Sequence, residues 1–378
     1  MPHSLAYRLP SAALAFRGYN VTNLGRTAEL LAHPAYGPVV ERHLKTASAV
    51  AADLLHRPVD LAGRVRAGEE TTLESYGDAV ALLLAVESAQ LELLATFFDI
   101  DYHAARFSFG FSLGEIAAVV AGGVLDLESA LQIPLSLASD CVALAEDVTL
   151  CVLFTRSREL VLDDVHRLCL EVNREGRGVV GISAYLAPNT LLVMGQGDTL
   201  DRLSARARES LNVRVHLRKN DHKWPPLHTP IVWQRQISNR AAHQMHTLPL
   251  KLTVPKPRIF SLVSGGYGYT AVNARDLLIQ WVDRPQRLWD AVYETLSSGV
   301  TTVIHIGPAP NIIPATFQQL SADVASQTSE SRSLRALSAA VRRQWLRRLL
   351  PQRAALLRAP FIEQIILEDW LLANAPAK

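Results

Sequence analysis

The chain has 378 residues, of which 49% are hydrophobic. That is enough for one large domain with a sizeable core, or for one carrying an inserted subdomain. Basic and acidic residues nearly balance, 38 against 36, which argues against a nucleic-acid binder that relies on bulk charge. Three cysteines, Cys141, Cys151 and Cys169, form no CxxC pair and read as reduced, buried thiols of a cytoplasmic protein.

In chain order, Arg8 and Arg17 flank a short apolar stretch, Leu9–Phe16. It is too short and interrupted for a signal peptide and reads as a first buried strand, ending in the turn Arg17-Gly18-Tyr19-Asn20. Tyr76–Phe98 is apolar nearly all round, the pattern of a buried helix. No uninterrupted run of transmembrane length stands out. Residues 110–115 then read Gly-Phe-Ser-Leu-Gly-Glu. A Gly-x-Ser-x-Gly run between a strand-like stretch (Arg106–Phe109) and a helical one (Ile116 to Gly122-Gly123) is a nucleophile-elbow pattern. The glycines permit a sharp turn, and the helix start supplies unpaired N–H groups where an oxyanion would form. A second helix starts near Leu127.

From Leu150 to Leu217 the texture changes. Cys151–Thr155, Gly178–Tyr185, Thr190–Gly195 and Val213–Leu217 are strand-like, while Asp163–Asn173 and Asp198–Ser210 are helical. The order β-α-β-β-α-β is that of a ferredoxin-like unit. It is inserted in a larger α/β-hydrolase-like domain, giving expected boundaries of 1–147, 148–217, 218–325 and 326–378. The large domain resumes at His228-Thr229-Pro230. It continues through a strand at Arg258–Val263, the loop Gly265–Tyr269, a helix over Arg287–Leu296 and a strand at Thr302–Ile306. The Gly265–Tyr269 loop is no phosphate cradle, because no lysine and Ser/Thr follow it in the required pattern. From Ser331 onward the chain carries eight arginines before its next acid, Glu363. This predicts a basic amphipathic helical tail, broken at Pro351. Its arginine face reads either as solvated surface or as a docking face for an acidic partner or an anionic membrane.

Several separated pieces resemble one family, the malonyl-CoA:acyl-carrier-protein transacylases and the acyltransferase domains of polyketide synthases. Gly110–Asp126 is similar to the family's Gly-His-Ser-Leu-Gly-Glu segment and its helix. Leu227-His228-Thr229-Pro230 resembles the segment that carries the catalytic histidine. Ile304-His-Ile-Gly-Pro-Ala-Pro resembles the late strand and its Gly-Pro turn, and Phe16-Arg-Gly-Tyr-Asn sits where the family has Phe-Pro-Gly-Gln-Gly. The match spans most of residues 10–320, with the insert in the family's place.

The resemblance implies that Ser112 is the nucleophile and His228 its base, passing an acyl group from acyl-CoA to a carrier-protein thiol through an acyl-serine. It implies an oxyanion hole from the backbone N–H groups of Leu113 and Tyr19, and it makes Gln280 the candidate that marks the carbonyl orienting His228. The substrates are acyl-CoA and an acidic, phosphopantetheine-bearing acyl-carrier protein, with Arg342, Arg343, Arg347 and Arg348 as a candidate docking face. No bound cofactor or metal is expected: His243 and His246 lack a third ligand, and His222 and His228 flank a Trp-Pro-Pro turn. Two departures bear on selectivity. Counted without gaps, the family's carboxylate-binding arginine falls on Leu137, and Phe111 replaces the histidine before the serine. Both point to an acyl group without a free carboxylate, unless Arg156 or Arg17 supplies the charge. A thioester hydrolase on the same scaffold and a non-catalytic scaffold remain open alternatives.

Overall fold

The computed structural model describes residues 3–376 except 157, 158, 212, 252, 271 and 331–351. Two sheets organise it. The larger is parallel and runs in the order β2-β1-β7-β8, with β1 at Ala12–Phe16, β2 at Phe107–Gly110, β7 at Thr302–Ile306 and β8 at Glu363–Ile366. Every residue of β1 is buried, as expected of a central parallel strand covered on both faces. Ala12, Leu14 and Phe16 face one core with the helix Tyr76–Phe98, while Ala13 and Ala15 face a second with Phe107, Phe109 and Leu288. The helix Tyr76–Phe98 is apolar and long enough to cross a membrane, yet most of it is buried here as the central core helix.

The smaller sheet is antiparallel, in the order β4-β5-β3-β6. Its strands are β3 (Val148–Thr155), β4 (Val180–Ala187), β5 (Thr190–Gln196) and β6 (Val215–Lys219). Helices Leu162–Asn173 and Thr199–Ser210 complete the ferredoxin-like order. Strand alternation splits its faces. Cys151, Leu153, Leu191 and Val193 enter the unit's own core, whereas Leu150 and Met194 join the main one. The three cysteines are free and buried, and burial pushes Cys141 and Cys169 up to about 12.

The chain's end departs from the expected helical appendage. Glu363–Ile366 is a strand paired parallel to β7, and the helix Leu367–Ala373 buries Leu367 and Leu371 in the main core. The arginine pattern masks this short apolar segment in the sequence. Buried Glu368 accepts hydrogen bonds from the Arg26 N–H (2.9 Å) and the Ala309 N–H (2.7 Å), so the terminus also fixes the loop after β7. Arg342, Arg343, Arg347 and Arg348 lie outside the described residues. Leu371→Ala is therefore expected to destabilise the whole large domain by about 2–5 kcal/mol, the range for emptying a fully buried leucine site. Urea unfolding checks this; an unchanged midpoint would mean that the terminus folds as an appendage.

Candidate active site

Strand β2 ends in the elbow, where space is the controlling quantity. A Cβ on Gly110 would lie 2.0 Å from the Gly114 carbonyl, and one on Gly114 would lie 2.3 Å from Phe16 O. Only glycine allows the helix Leu113–Ala121 to pack this closely against β1 and β2. Ser112 at the turn takes φ 54°, ψ −118°, a conformation that costs a non-glycine residue and persists only where its surroundings impose it. Beneath it, buried Glu115 accepts from Ser261 Oγ (2.6 Å), Leu262 N–H (3.0 Å) and Tyr269 OH (3.0 Å), and burial pushes its carboxyl up to about 7. The Gly265–Tyr269 loop thus helps to anchor the elbow helix.

The Ser112 hydroxyl lies 2.7 Å from His228 Nε2, and His228 Nδ1 lies 2.7 Å from the Trp281 carbonyl. A carbonyl only accepts, so Nδ1 carries the proton and Nε2 is free to accept from Ser112. His228 is also held at φ 65°, with its N–H on the Val282 carbonyl at 2.8 Å. Burial lowers the imidazole to about 4, so it is neutral at physiological pH. Trp281 serves both partners, because its indole N–H donates to Ser112 O at 2.8 Å. The orienting carbonyl is therefore that of Trp281 and not one marked by Gln280, whose side chain is exposed one residue earlier. The spacing from Gln280 to Pro285 is one residue longer than the family's, and that offset puts the carbonyl on Trp281.

Gln286 also escaped the sequence reading. It is fully buried, its Oε1 accepts from the Ser112 N–H at 3.0 Å, and its Nε2 lies 3.3 Å from His228 Nδ1. Its only local signal is an amide side chain after Pro285 in a stretch that leads into a buried helix.

Leu113 N–H and Tyr19 N–H have no hydrogen-bond acceptor among the described residues. The turn that carries Tyr19 approaches Ser112 closely: a Cβ on Gly18 would sit 3.3 Å from Ser112 Cβ. These are two backbone donors beside the Ser112 hydroxyl, the composition that an oxyanion hole requires. The Tyr19 ring packs edge-on against Tyr76 (4.9 Å) and Trp224 (5.8 Å).

A cleft of about 280 Å³ opens over this pair. Leu150, Val152, Leu192 and Met194 from the small sheet form one wall, with Tyr76 and Phe111 also lining it. Among the described residues, its one ionisable cationic side chain apart from His228 is Arg17. Arg17 donates all five N–H bonds inward, to the Gly18, Thr22, Pro308 and Ala309 carbonyls and to Asn23 Oδ1. It is a clamp between the loops after β1 and β7, with no donor left for a substrate. Arg156 is exposed and outside the lining. Leu137 is buried in the core and does not line the cleft either. Pro134, inside the helix Leu127–Ser136, lacks the N–H that would continue it, and Leu137 sits at the joint with the next helix, Ala138–Ala145. The gap-free count thus led to a position that does not face the substrate space. Among the described residues no group of three or more His, Cys, Asp or Glu could hold a metal ion.

No protein-family model matches the sequence, and no curated protein matches it. Solved structures do match. The malonyl-CoA:acyl carrier protein transacylase of Xanthomonas oryzae superposes with a TM-score of 0.64 at 22% identity, covering 81% of this chain and 90% of that one. An acyl carrier protein S-malonyltransferase from Vibrio cholerae gives 0.63 at 20%, covering 81% and 92%. A malonyl-transacylase in complex with its type II polyketide synthase acyl-carrier protein gives 0.62 at 19%, covering 81% and 92%. The chain has the two-subdomain fold of these proteins.

The hydroxyl–imidazole geometry sets two expectations. Ser112→Ala abolishes labelling by a serine-directed phosphonate, and His228→Ala slows it by about 10³-fold or more. With His228 lowered to about 4, the wild-type labelling rate stays level from pH 8 to pH 6 and falls only as pH drops toward about 4, where the base becomes protonated. A midpoint near the ordinary histidine value of about 6.5 would contradict the burial.

Proposed function

We propose that this protein is an acyltransferase that moves an uncharged acyl group from acyl-CoA to an acyl-carrier protein through an acyl-Ser112 intermediate. The observation that carries this reading is the 2.7 Å Ser112–His228 contact, at the mouth of an apolar cleft, in the fold shared with the malonyl-transacylases. Ser112 Oγ attacks the thioester carbonyl as His228 Nε2 takes its proton. The oxyanion sits between the N–H groups of Leu113 and Tyr19. Collapse expels the CoA thiolate, which receives the proton from His228. The carrier's phosphopantetheine thiol then enters, gives its proton to His228 and attacks the acyl-serine, and the steps run in reverse.

The neutral acyl group is supported by charge accounting. A carboxylate enclosed by Leu150, Val152, Leu192 and Met194 would lose its hydration with no cation among the described residues to replace it. Arg17, the cation at hand, has spent its donors on backbone carbonyls.

An acidic carrier is supported at the rim. Arg218 and Lys223 are exposed and form no ion pair among the described residues, and they flank Asn220 and Trp224, which line the cleft. This rim is the proposed docking face for the carrier.

Incubation with acetyl-CoA and a holo acyl-carrier protein is expected to give acetyl-carrier with parallel double-reciprocal plots, the signature of two half-reactions joined by a covalent enzyme. Free acetate as the main product would instead assign the scaffold to thioester hydrolysis. Charge reversal at Arg218 and Lys223 together is expected to raise the carrier KM by about three- to tenfold and leave the acyl-CoA KM unchanged, since rim charges act mainly on encounter. An unchanged carrier KM would place docking elsewhere.

A further inference from the structure

Gln286 connects three parts of the molecule. Its backbone pairs with β4 of the small unit, with its N–H on Ser183 O and its carbonyl accepting from Tyr185 N–H, each at 2.8 Å. Its side chain crosses to the elbow, where Oε1 accepts from the Ser112 N–H at 3.0 Å. That bond fixes which end of the amide is which, and so turns the NH2 group toward His228 Nδ1, 3.3 Å away. The residue is fully buried, where an amide is retained at a cost unless its partners are specific.

We propose that Gln286 is a positioning residue of the acyl-transfer site. Its carboxamide holds the strained nucleophile turn through the Ser112 N–H and lays its NH2 group along the imidazole, while the Trp281 carbonyl fixes the tautomer in which Nδ1 carries the proton and Nε2 faces the serine. The proposal rests on the acyl-transfer reading given above.

The physical logic has two parts. Ser112 at φ 54° keeps its hydroxyl aimed at Nε2 only while its peptide is held, and the Gln286 Oε1 contact holds it on the N–H side. On the other end of the amide, the NH2 hydrogens bring partial positive charge beside the imidazole and oppose its protonation. The Trp281 carbonyl satisfies the single proton that the neutral ring carries. The base therefore starts each cycle neutral, with its lone pair toward Ser112.

Among the described residues, no ionised group around the ring competes with this effect. Arg17 is consumed by the loop carbonyls and Glu115 by Ser261, Leu262 and Tyr269. On the segment that follows Trp281, Asp283 accepts from the exposed Trp233 indole at 2.9 Å, Arg284 is exposed, and Arg287 pairs with Asp290. On β4, the neighbour is Ser183, which is uncharged.

The test uses the full-length enzyme, acetyl-CoA and a holo acyl-carrier protein. Intact mass of wild-type enzyme after acetyl-CoA first reads whether Ser112 is acetylated at all, and an unmodified mass defeats the acyl-transfer reading itself. Given acetylation, Gln286→Glu replaces the NH2 with a carboxylate oxygen. It is expected to raise the acid midpoint of kcat/KM by about one pH unit or more, because a carboxylate beside Nδ1 favours the imidazolium. Gln286→Met carries no charge into the core. It is expected to lower kcat by about tenfold to a hundredfold, a share of the ~10²–10⁴-fold that a general base contributes, with the acetyl-CoA KM within about threefold. A purely structural glutamine would lower the melting temperature of both variants and leave the midpoint and kcat where they are. That result, with wild type acetylated, overturns the proposal and leaves the acyl-transfer reading standing.

Discussion

The site depends on one steric constraint, the contact of the elbow backbone with the carbonyl end of β1. Gly114 sits so close to Phe16 O that no side chain fits, and Gly110 is closed off by Gly114 in turn. With that space denied to side chains, the chain leaving β2 turns at Ser112 and enters a helix at once. The turn exposes one hydroxyl, leaves the Leu113 N–H without an acceptor among the described residues, and brings the Gly18-Tyr19 turn alongside. Arg17 then ties the loops after β1 and β7 together through five hydrogen bonds. A strained serine in a marginally packed turn would relax. Here it is held by close packing beneath it, by Trp281 on its carbonyl and by Gln286 on its N–H.

The dyad is assembled from segments far apart in the chain, so its precision is a property of the fold. Ser112 comes from the elbow, His228 from a proline-flanked turn after the insert, and the carbonyl on Nδ1 from Trp281. The insert supplies the cleft's apolar wall with residues of β3 and β5 that alternate with its own core. One sheet thus packs a hydrophobic core on one face and offers a substrate surface on the other. Burial keeps the His228 imidazole neutral at physiological pH. The same dryness would make an unpaired carboxylate costly in the cleft, so the neutral imidazole and the proposed acyl preference share one physical origin.

Much of this was legible in the sequence because it is written in local patterns. The elbow is a short motif with its own stereochemistry. The helix Tyr76–Phe98 is apolar on every face, and the insert alternates strand and helix in a recognisable order. What was hidden depends on non-local or backbone features. The acceptor for His228 is a main-chain carbonyl, which any residue could supply, so Gln280 was one position away from Trp281. Leu137 was reached by a gap-free count that lands on the joint after the helix Leu127–Ser136, away from the cleft. Gln286 is a polar residue whose role appears only when β4 and the elbow meet around it. The strand Glu363–Ile366 is four residues long, and the arginine-rich run before it dominates any composition-based reading.

The central claim is that Ser112 forms an acyl-enzyme in a cleft where the described residues offer no free cation for a carboxylate. The most direct measurement is the competition of malonyl-CoA with acetyl-, butyryl- and hexanoyl-CoA for Ser112, read by the intact mass of the enzyme at early times. The account predicts that an uncharged acyl group loads at least about tenfold faster than malonyl, and that every adduct vanishes in Ser112→Ala. Faster loading from malonyl-CoA than from every uncharged thioester would contradict it.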